Sequence, residues 1–471
     1  MQGLERTPTI LATRTLSASA SICLATVTIA CGGDGRSDAG IHGDPIAFAS
    51  GSATEGAEGA EGANGDDAEA DASGPGGNDG ADSGGDQGEG DGDAGEPEAG
   101  GEPKWDTLSL PDAADACAFA SEPEFSYLWA ANSVEGTISK IDTKTVTEVG
   151  RYLVRPDANG SPSRTSVSLS GDVAVANRSG GITKIHARES ACLDTNGIEG
   201  IQTSKDSTFL PWALEECRAW HRPMTYHSQR PVAWGPGVFD PHECAWKDEE
   251  LWTSGANQDG KVDIYVLDGD DGAIKDVLAV PVGGGGLAND FFGLYGGAVD
   301  GDGNFWGSQL GTDGRLIRVR RSDMTYDIWD TPDGSHWYGM TVDSDGMVWL
   351  CSAAVGRFDP VTETWTTAMV GGWTGCMADA GENGLLWMSN GSGVIGVDRD
   401  TLTVTKTWDA EGSYGVSIDF EGYVWAVENG TTASKIDPVT GQYWTYTGLI
   451  GAYTYSDMTG YALSNVGKPS G

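Results

Sequence analysis

Residues Tyr338-Gly339-Met340-Thr341-Val342-Asp343-Ser344-Asp345-Gly346-Met347-Val348-Trp349 recur, with the same spacing, as Tyr414-Gly415-Val416-Ser417-Ile418-Asp419-Phe420-Glu421-Gly422-Tyr423-Val424-Trp425. A third copy runs from Tyr295-Gly296 through Asp300 and Gly303 to Trp306. Each copy alternates apolar and polar residues, turns at Asp-x-x-Gly and enters a second apolar run that carries the Trp. Alternation of period two marks half-buried strands. Asp and Gly supply the turn hydrogen bonds and the positive φ between them.

Working outward, a looser copy runs from Thr374-Gly375 to Asp379 and Trp387, while Trp129 and Trp252 hold the Trp place further upstream. Val173-Ala174-Val175 keeps the pattern without the Trp, so seven units follow, with the slot at 129, 174, 252, 306, 349, 387 and 425. A second turn, such as Asp359-Pro360-Val361-Thr362 or Asp437-Pro438-Val439-Thr440-Gly441, separates a third strand from a fourth in each unit. Four short strands per period of roughly 40 residues make one propeller blade. The expected fold is therefore all-β: a seven-bladed β-propeller of four-stranded antiparallel blades over residues 105–466. The tail around Tyr453-Thr454-Tyr455 reads as an inner strand that completes blade one and removes the free sheet edge.

Three insertions interrupt the regularity, at 193–229, 235–249 and 281–292. The first and third are expected to join an outer strand to the next inner strand, on the face where propellers bind ligands, and the second lies opposite. The first is dense in recognition groups (Trp212, Trp220, His221, Arg222, His227) and is expected either to cap the channel or to pack on blades two and three.

The 471 residues carry 28 Lys and Arg against 70 Asp and Glu, a formal charge of −42. Such a surface repels nucleic acid and anionic membrane, which removes both as direct partners. Much of the charge is local, since Asp34 to Glu102 holds 19 acidic residues and one basic residue, Arg36, among Gly, Ala, Ser and Pro. Residues 32–104 thus read as a disordered acidic tether, without the apolar content to offset chain entropy. Ahead of it, residues 1–31 combine Arg6 and Arg14 with a short apolar run ending Thr28-Ile29-Ala30-Cys31. That pattern is an export signal. Its final Cys resembles the lipidated cysteine of bacterial lipoproteins, although Thr28 replaces the usual Leu. The expectation is a monomeric cell-envelope lipoprotein, on the outer membrane or cell surface, touching membrane only through Cys31.

Six cysteines remain for the mature chain, an even number suited to disulfides in an oxidising compartment. Cys351 with Cys376 is the expected pair because these residues fall on neighbouring repeats, and Cys192 with Cys217 would close a short loop. No Cys-x-x-Cys spacing points to zinc.

The repeated Gly-x-x-x-Asp-x-x-Gly-x-x-Trp and Ile-Asp-Pro-x-Thr elements resemble those of the streptogramin B lyase-like propellers, over roughly residues 120–465. What the resemblance implies is the seven-bladed fold. It also implies an alternative activity, elimination that opens a cyclic depsipeptide with a His and a bound Mg²⁺. The positions preceding the repeated Gly here hold Tyr295, Tyr338, Thr374 and Tyr414 rather than that His. His336 is the nearest candidate acid or base. Asp194-Thr195-Asn196-Gly197 resembles the opening of a calcium loop, so Mg²⁺ and Ca²⁺ are the two metals to consider.

Aligning the repeats puts Arg164 and Arg230 where Gly stands elsewhere, on adjacent inner strands. Together with Tyr295, Tyr338, Trp373 and Tyr414 they form a candidate ligand site, because Arg forks pair with anions and aromatic walls hold apolar or sugar-like bodies. The competing reading pairs both Arg with inner-strand carboxylates as structural bridges. The leading function is a binding module for a small anionic, peptide or glycan ligand, with the lyase as the alternative.

Overall fold

The computed structural model describes residues 126–466, apart from 244, 381–383 and 456. The expected export signal with Cys31, the expected acidic tether, Cys117 and Cys244 lie outside the described residues.

The turn grammar of the repeat has a direct physical cause. In blade five, Asp343 accepts the N–H of Asp345 at 3.0 Å and of Met347 at 2.9 Å through one carboxylate oxygen, and the indole N–H of Trp349 at 2.8 Å through the other. Asp300 does the same for Asp302, Asn304 and Trp306, and Asp419 for Glu421, Tyr423 and Trp425. One side chain thus shapes the hairpin and satisfies the single polar atom of a buried Trp. The Gly of the turn is required because φ at Gly346 is +78°.

Six sheets of four strands and one of three form the blades, each with strands in sequence order and antiparallel. Their inner strands are Pro162–Val167, Ser228–Trp234, Gly296–Val299, Gly339–Val342, Cys376–Ala378 and Gly415–Ile418 for blades two to seven. Trp129, Trp252, Trp306, Trp349, Trp387 and Trp425 are all buried between neighbouring blades. Each removes a large apolar surface from water, worth roughly 2–3 kcal/mol. Successive inner strands approach so closely that a Cβ on Gly339 would lie 2.2 Å from the Thr374 carbonyl oxygen.

Blade one begins on its second strand, Tyr127–Asn132, and the C-terminal segment supplies the missing inner edge. Tyr453 N–H donates to Ala131 O at 3.0 Å, Trp129 N–H to Met458 O at 2.8 Å, and Ser133 N–H to Gly451 O at 3.1 Å. The ring is closed by the tail, as the repeat count requires. Helix Tyr461–Val466 follows and packs Leu463 among Trp234, Val232 and Leu251.

The first insertion departs from its expected place. Arg218–Arg222, inside the range 193–229, is the outer strand of blade two and pairs with Ile182–Ile185. The inserted loop therefore joins the third and fourth strands of that blade, on the face opposite the channel mouth. It lies along the outer strand of blade one, where Ser204 Oγ accepts the Arg151 N–H at 2.9 Å and Phe209 bridges to Arg151. An unpaired edge strand needs such a cover. Its aromatic and cationic groups pack on one another, Arg218 over Trp212 at 3.7 Å and Trp212 edge-on to His221 at 5.5 Å. The 235–249 insertion contains the hairpin Val238–Asp240 with Ala245–Lys247, and 281–292 links blade three to blade four.

Both expected disulfides are present. Cys192–Cys217 ties the inserted loop to the start of the outer strand of blade two, and Cys351–Cys376 joins blades five and six. Such bridges suit an oxidising compartment. Among the described residues no helix is long and apolar enough to cross a membrane.

Candidate functional site at the channel mouth

The residue before the repeated Gly stands at the top of its inner strand, where the chain arrives from the previous blade. Tyr295, Tyr338 and Tyr414 hold this place in blades four, five and seven. Their N–H groups donate to Ser308 O at 2.7 Å, Cys351 O at 3.0 Å and Val427 O at 2.7 Å. The closing segment repeats the pattern with Tyr453 on Ala131 O. Equivalent positions around a ring aim equivalent side chains at its axis, so four phenols meet there. Tyr295 donates to Tyr338 at 2.9 Å and lies 2.7 Å from Tyr453 between hydroxyl oxygens. Tyr338 is hydrogen-bonded to both Tyr414 and Tyr453.

The two arginines lie under and beside this network. Arg164, 2 % exposed, donates through Nη2 to the Tyr295 carbonyl at 2.5 Å and stacks its guanidinium 3.2 Å from the centre of the Tyr455 ring. Arg230, 8 % exposed, sits 4.7 Å from the ring centres of both Phe292 and Tyr295 and donates to Ser228 Oγ at 3.2 Å. Neither has a carboxylate within ion-pair distance among the described residues. The expected alternative of carboxylate bridges is thereby corrected. Backbone carbonyls and aromatic faces hold the Arg164 charge, and the Ser228 hydroxyl and aromatic faces hold that of Arg230. Arg164 Nε and Arg230 Nη1 are buried without an acceptor, and so is the Tyr455 hydroxyl.

Burial drives the phenols of Tyr295, Tyr338, Tyr414 and Tyr455 upward. Tyr453 goes the other way. Burial alone would raise it, but hydrogen bonds from Tyr295, Tyr338 and Tyr414, with the Arg230 charge nearby, bring it down to about 8. The network therefore gives up its first proton from Tyr453.

Trp373, half-exposed, meets Tyr414 edge-on at 5.5 Å and extends the aromatic surface outward. Phe291 lies exposed on the same face, with His227 5.7 Å from its ring. His336 is exposed in the connection between blades four and five, between buried Ser335 and Trp337. Arg164, Arg230, Tyr295, Tyr338 and Tyr414 are thus brought together, Trp373 borders them, and His336 is not part of their hydrogen-bond and ring-contact network. Tyr453 and Tyr455 complete the cluster. The repeated Tyr at the head of an inner strand was the signal for Tyr453, and it was visible once the tail was taken as an inner strand.

Below the tyrosines the channel holds a cavity of about 40 Å³ lined by Ser166, Ala298, Met340, Asp457 and Leu463, with the terminal helix as its floor. Among the described residues no three His, Cys, Asp or Glu side chains are grouped to hold a metal ion. The Asp194–Gly197 turn presents donors rather than ligands: the N–H groups of Thr195 and Asn196 point at the Glu216 carboxylate, at 2.6 and 2.9 Å.

No family model matches this chain, and no curated protein does. Among solved structures, virginiamycin B lyase from Staphylococcus aureus aligns at 15% identity and a TM-score of 0.40, over 61% of this chain and 84% of that one. The chain is similar to that lyase in fold. A functionally unknown protein from Desulfotomaculum acetoxidans aligns at 10% identity and a TM-score of 0.47, over 70% and 98% of the two chains. AztD from Citrobacter koseri does so at 12% identity and a TM-score of 0.42, over 70% and 96%. These likenesses concern the propeller alone and assign no chemistry to the mouth.

Proposed function

We propose that the chain is an exported bacterial lipoprotein, anchored through Cys31. On this reading its propeller is a binding module whose channel mouth takes a small anion-bearing ligand, either a peptide carboxylate or an acidic sugar. One observation carries the ligand class. Arg164 and Arg230 are buried cations in a chain of net charge −42, yet no described carboxylate neutralises either. A buried charge without a counter-charge is costly, and an anion entering the mouth relieves that cost. Arg forks are suited to carboxylate and sulfate oxygens. The half-exposed Trp373 and exposed Phe291 offer an apolar rim for the body of the ligand.

Calorimetric titration at low salt with glutamate-terminated peptides and with glucuronate tests the ligand class. Binding that weakens at least tenfold in Arg230→Gln supports it, and binding unchanged in that variant overturns it. The anchor is tested separately by fractionation. Cys31→Ser is expected to move the protein from the membrane fraction to the soluble exported one.

A further inference from the structure

A cavity separate from the channel mouth lies at the ring-closing seam. An open crevice of about 470 Å³ runs between blade seven and the second turn of blade one, walled by Tyr423, Lys435, Trp444 and Thr445 on one side and by Lys144, Thr145 and Val146 on the other. Its origin is visible by contrast with two other blade boundaries. Between blades six and seven, Trp408 from the outer strand lies on Gly441 of the next blade's turn and donates its indole N–H to Pro438 O at 3.2 Å. Between blades two and three, Trp220 lies on Gly272 and donates to Gly269 O at 3.0 Å.

At the seam both halves of this contact change. Val146 stands at the positive-φ place of the turn, with φ +55° where Gly441 has +75°. The outer strand of blade seven offers Tyr446, the counterpart of Trp408 in the strand pairing, and its hydroxyl is drawn away to Glu148. No indole covers the turn, so the space stays open.

The walls are suited to a ligand. Trp444 is 40 % exposed and meets Tyr423 edge-on, with ring centres 5.9 Å apart and planes at 72°. Two aromatic faces at right angles present one flat platform and one edge. The local charges balance: Lys435 Nζ lies 3.4 Å from Asp419 and 2.8 Å from Glu421, and Lys144 Nζ lies 3.9 Å from Glu421. Lys435 is fully engaged by these acids and by Thr143 O at 2.8 Å. Lys144 is largely solvent-exposed and its ammonium is available to donate. A crevice of this size, with aromatic walls, a few polar groups and no net charge, selects a neutral, polyhydroxylated ring with an apolar face.

We propose that the crevice between Trp444, Tyr423 and Lys144 is a second binding site, for the pyranose rings of a neutral saccharide. The ring's C–H face lies on the Trp444 indole and its hydroxyls accept from Lys144 Nζ. This site is separate from the channel mouth and does not depend on the reading given to Arg164 and Arg230.

The test titrates the full-length protein with neutral cello-, xylo-, malto- and chito-oligosaccharides, followed by tryptophan fluorescence and calorimetry. At least one series is expected to bind and to shift the emission, with affinity at least tenfold weaker in Trp444→Ala and several-fold weaker in Lys144→Ala. Both positions are exposed, and circular dichroism checks that each variant folds. Arg230→Gln is expected to leave this binding unchanged. No binding by any of the four series, or equal binding by Trp444→Ala, overturns the site. Glucuronate-containing oligosaccharides binding in preference to the neutral ones, lost with Trp444→Ala, would overturn the neutral class.

Discussion

Asp300 Oδ2 accepts the indole N–H of Trp306 at 2.8 Å, and the same carboxylate accepts two backbone N–H groups of its own turn. Turn geometry and core are thereby coupled through one side chain, and the coupling recurs at Asp343 with Trp349 and at Asp419 with Trp425. Unlike those two, Asp300 has no cationic partner among the ion pairs of the described residues, so its replacement reports on the turn alone. Asp300→Ala leaves the Trp306 indole N–H buried without an acceptor, together with two orphaned turn donors. The expected loss is about 2–4 kcal/mol, read as a lowered midpoint in denaturant unfolding. Asp300→Asn keeps one acceptor oxygen, which can serve the turn N–H groups or the Trp306 indole but not both, and is expected to recover only part of it.

Glu363 is exposed in the second turn of blade five at φ +55°, the conformation that Gly441 adopts in blade seven. An L side chain pays about 1 kcal/mol for that region and Gly does not. Glu363→Gly is therefore expected to raise stability by about 1 kcal/mol, and the melting temperature by a degree or two. A drop in melting temperature would show that the turn is not strained.

Tyr453 is the phenol of the mouth that ionises first, at about 8 against an ordinary value of 10.0. A group whose folded value is depressed contributes stability that is fully present above its unfolded value and is lost as pH falls through the folded one. The stabilising contribution of the ionised Tyr453 thus appears between about pH 8 and 10. Ultraviolet titration at the phenolate band is expected to show one transition near pH 8 that Tyr453→Phe removes. A transition near 8 that persists in the variant would assign the low value to another tyrosine.

Cys192–Cys217 closes a loop with a sequence separation of 25. Loops of this length are stabilised by roughly 3 kcal/mol through restriction of the unfolded chain. The Cys192→Ser, Cys217→Ser double variant is expected to lose about that much and to become sensitive to limited proteolysis within 193–216. Propeller circular dichroism should persist below the new melting point, since the bridge and its loop pack at the boundary of blades one and two and leave the other boundaries untouched.

Much of this protein could be read along the chain. Periodicity of two, the Asp-x-x-Gly-x-x-Trp unit and its sevenfold count are local patterns, and local hydrogen bonds enforce them. They were sufficient for the propeller, its closing tail and the two disulfides between neighbouring elements. The equivalence of repeats also placed Tyr295, Tyr338 and Tyr414 at one height, because a ring converts equal sequence position into equal spatial position.

What the sequence could not contain were relations between residues without such equivalence. The local pattern makes the segment after Cys192 a connection between blades, because Arg218–Arg222 is a strand too short and too polar to stand out; only its ladder with Ile182–Ile185 identifies it. The partners of Arg164 are a carbonyl 131 positions away and a ring in the tail 291 positions away, and no local rule relates them. The same holds at the seam, where Val146 and Trp444 face one crevice from opposite ends of the chain. Repetition along the sequence determined the ring of blades that opened the reading. The contents of its channel and the gap at its closure were decided by tertiary packing, because long side chains and misfit contacts are settled by whichever distant atoms the closed ring brings within reach.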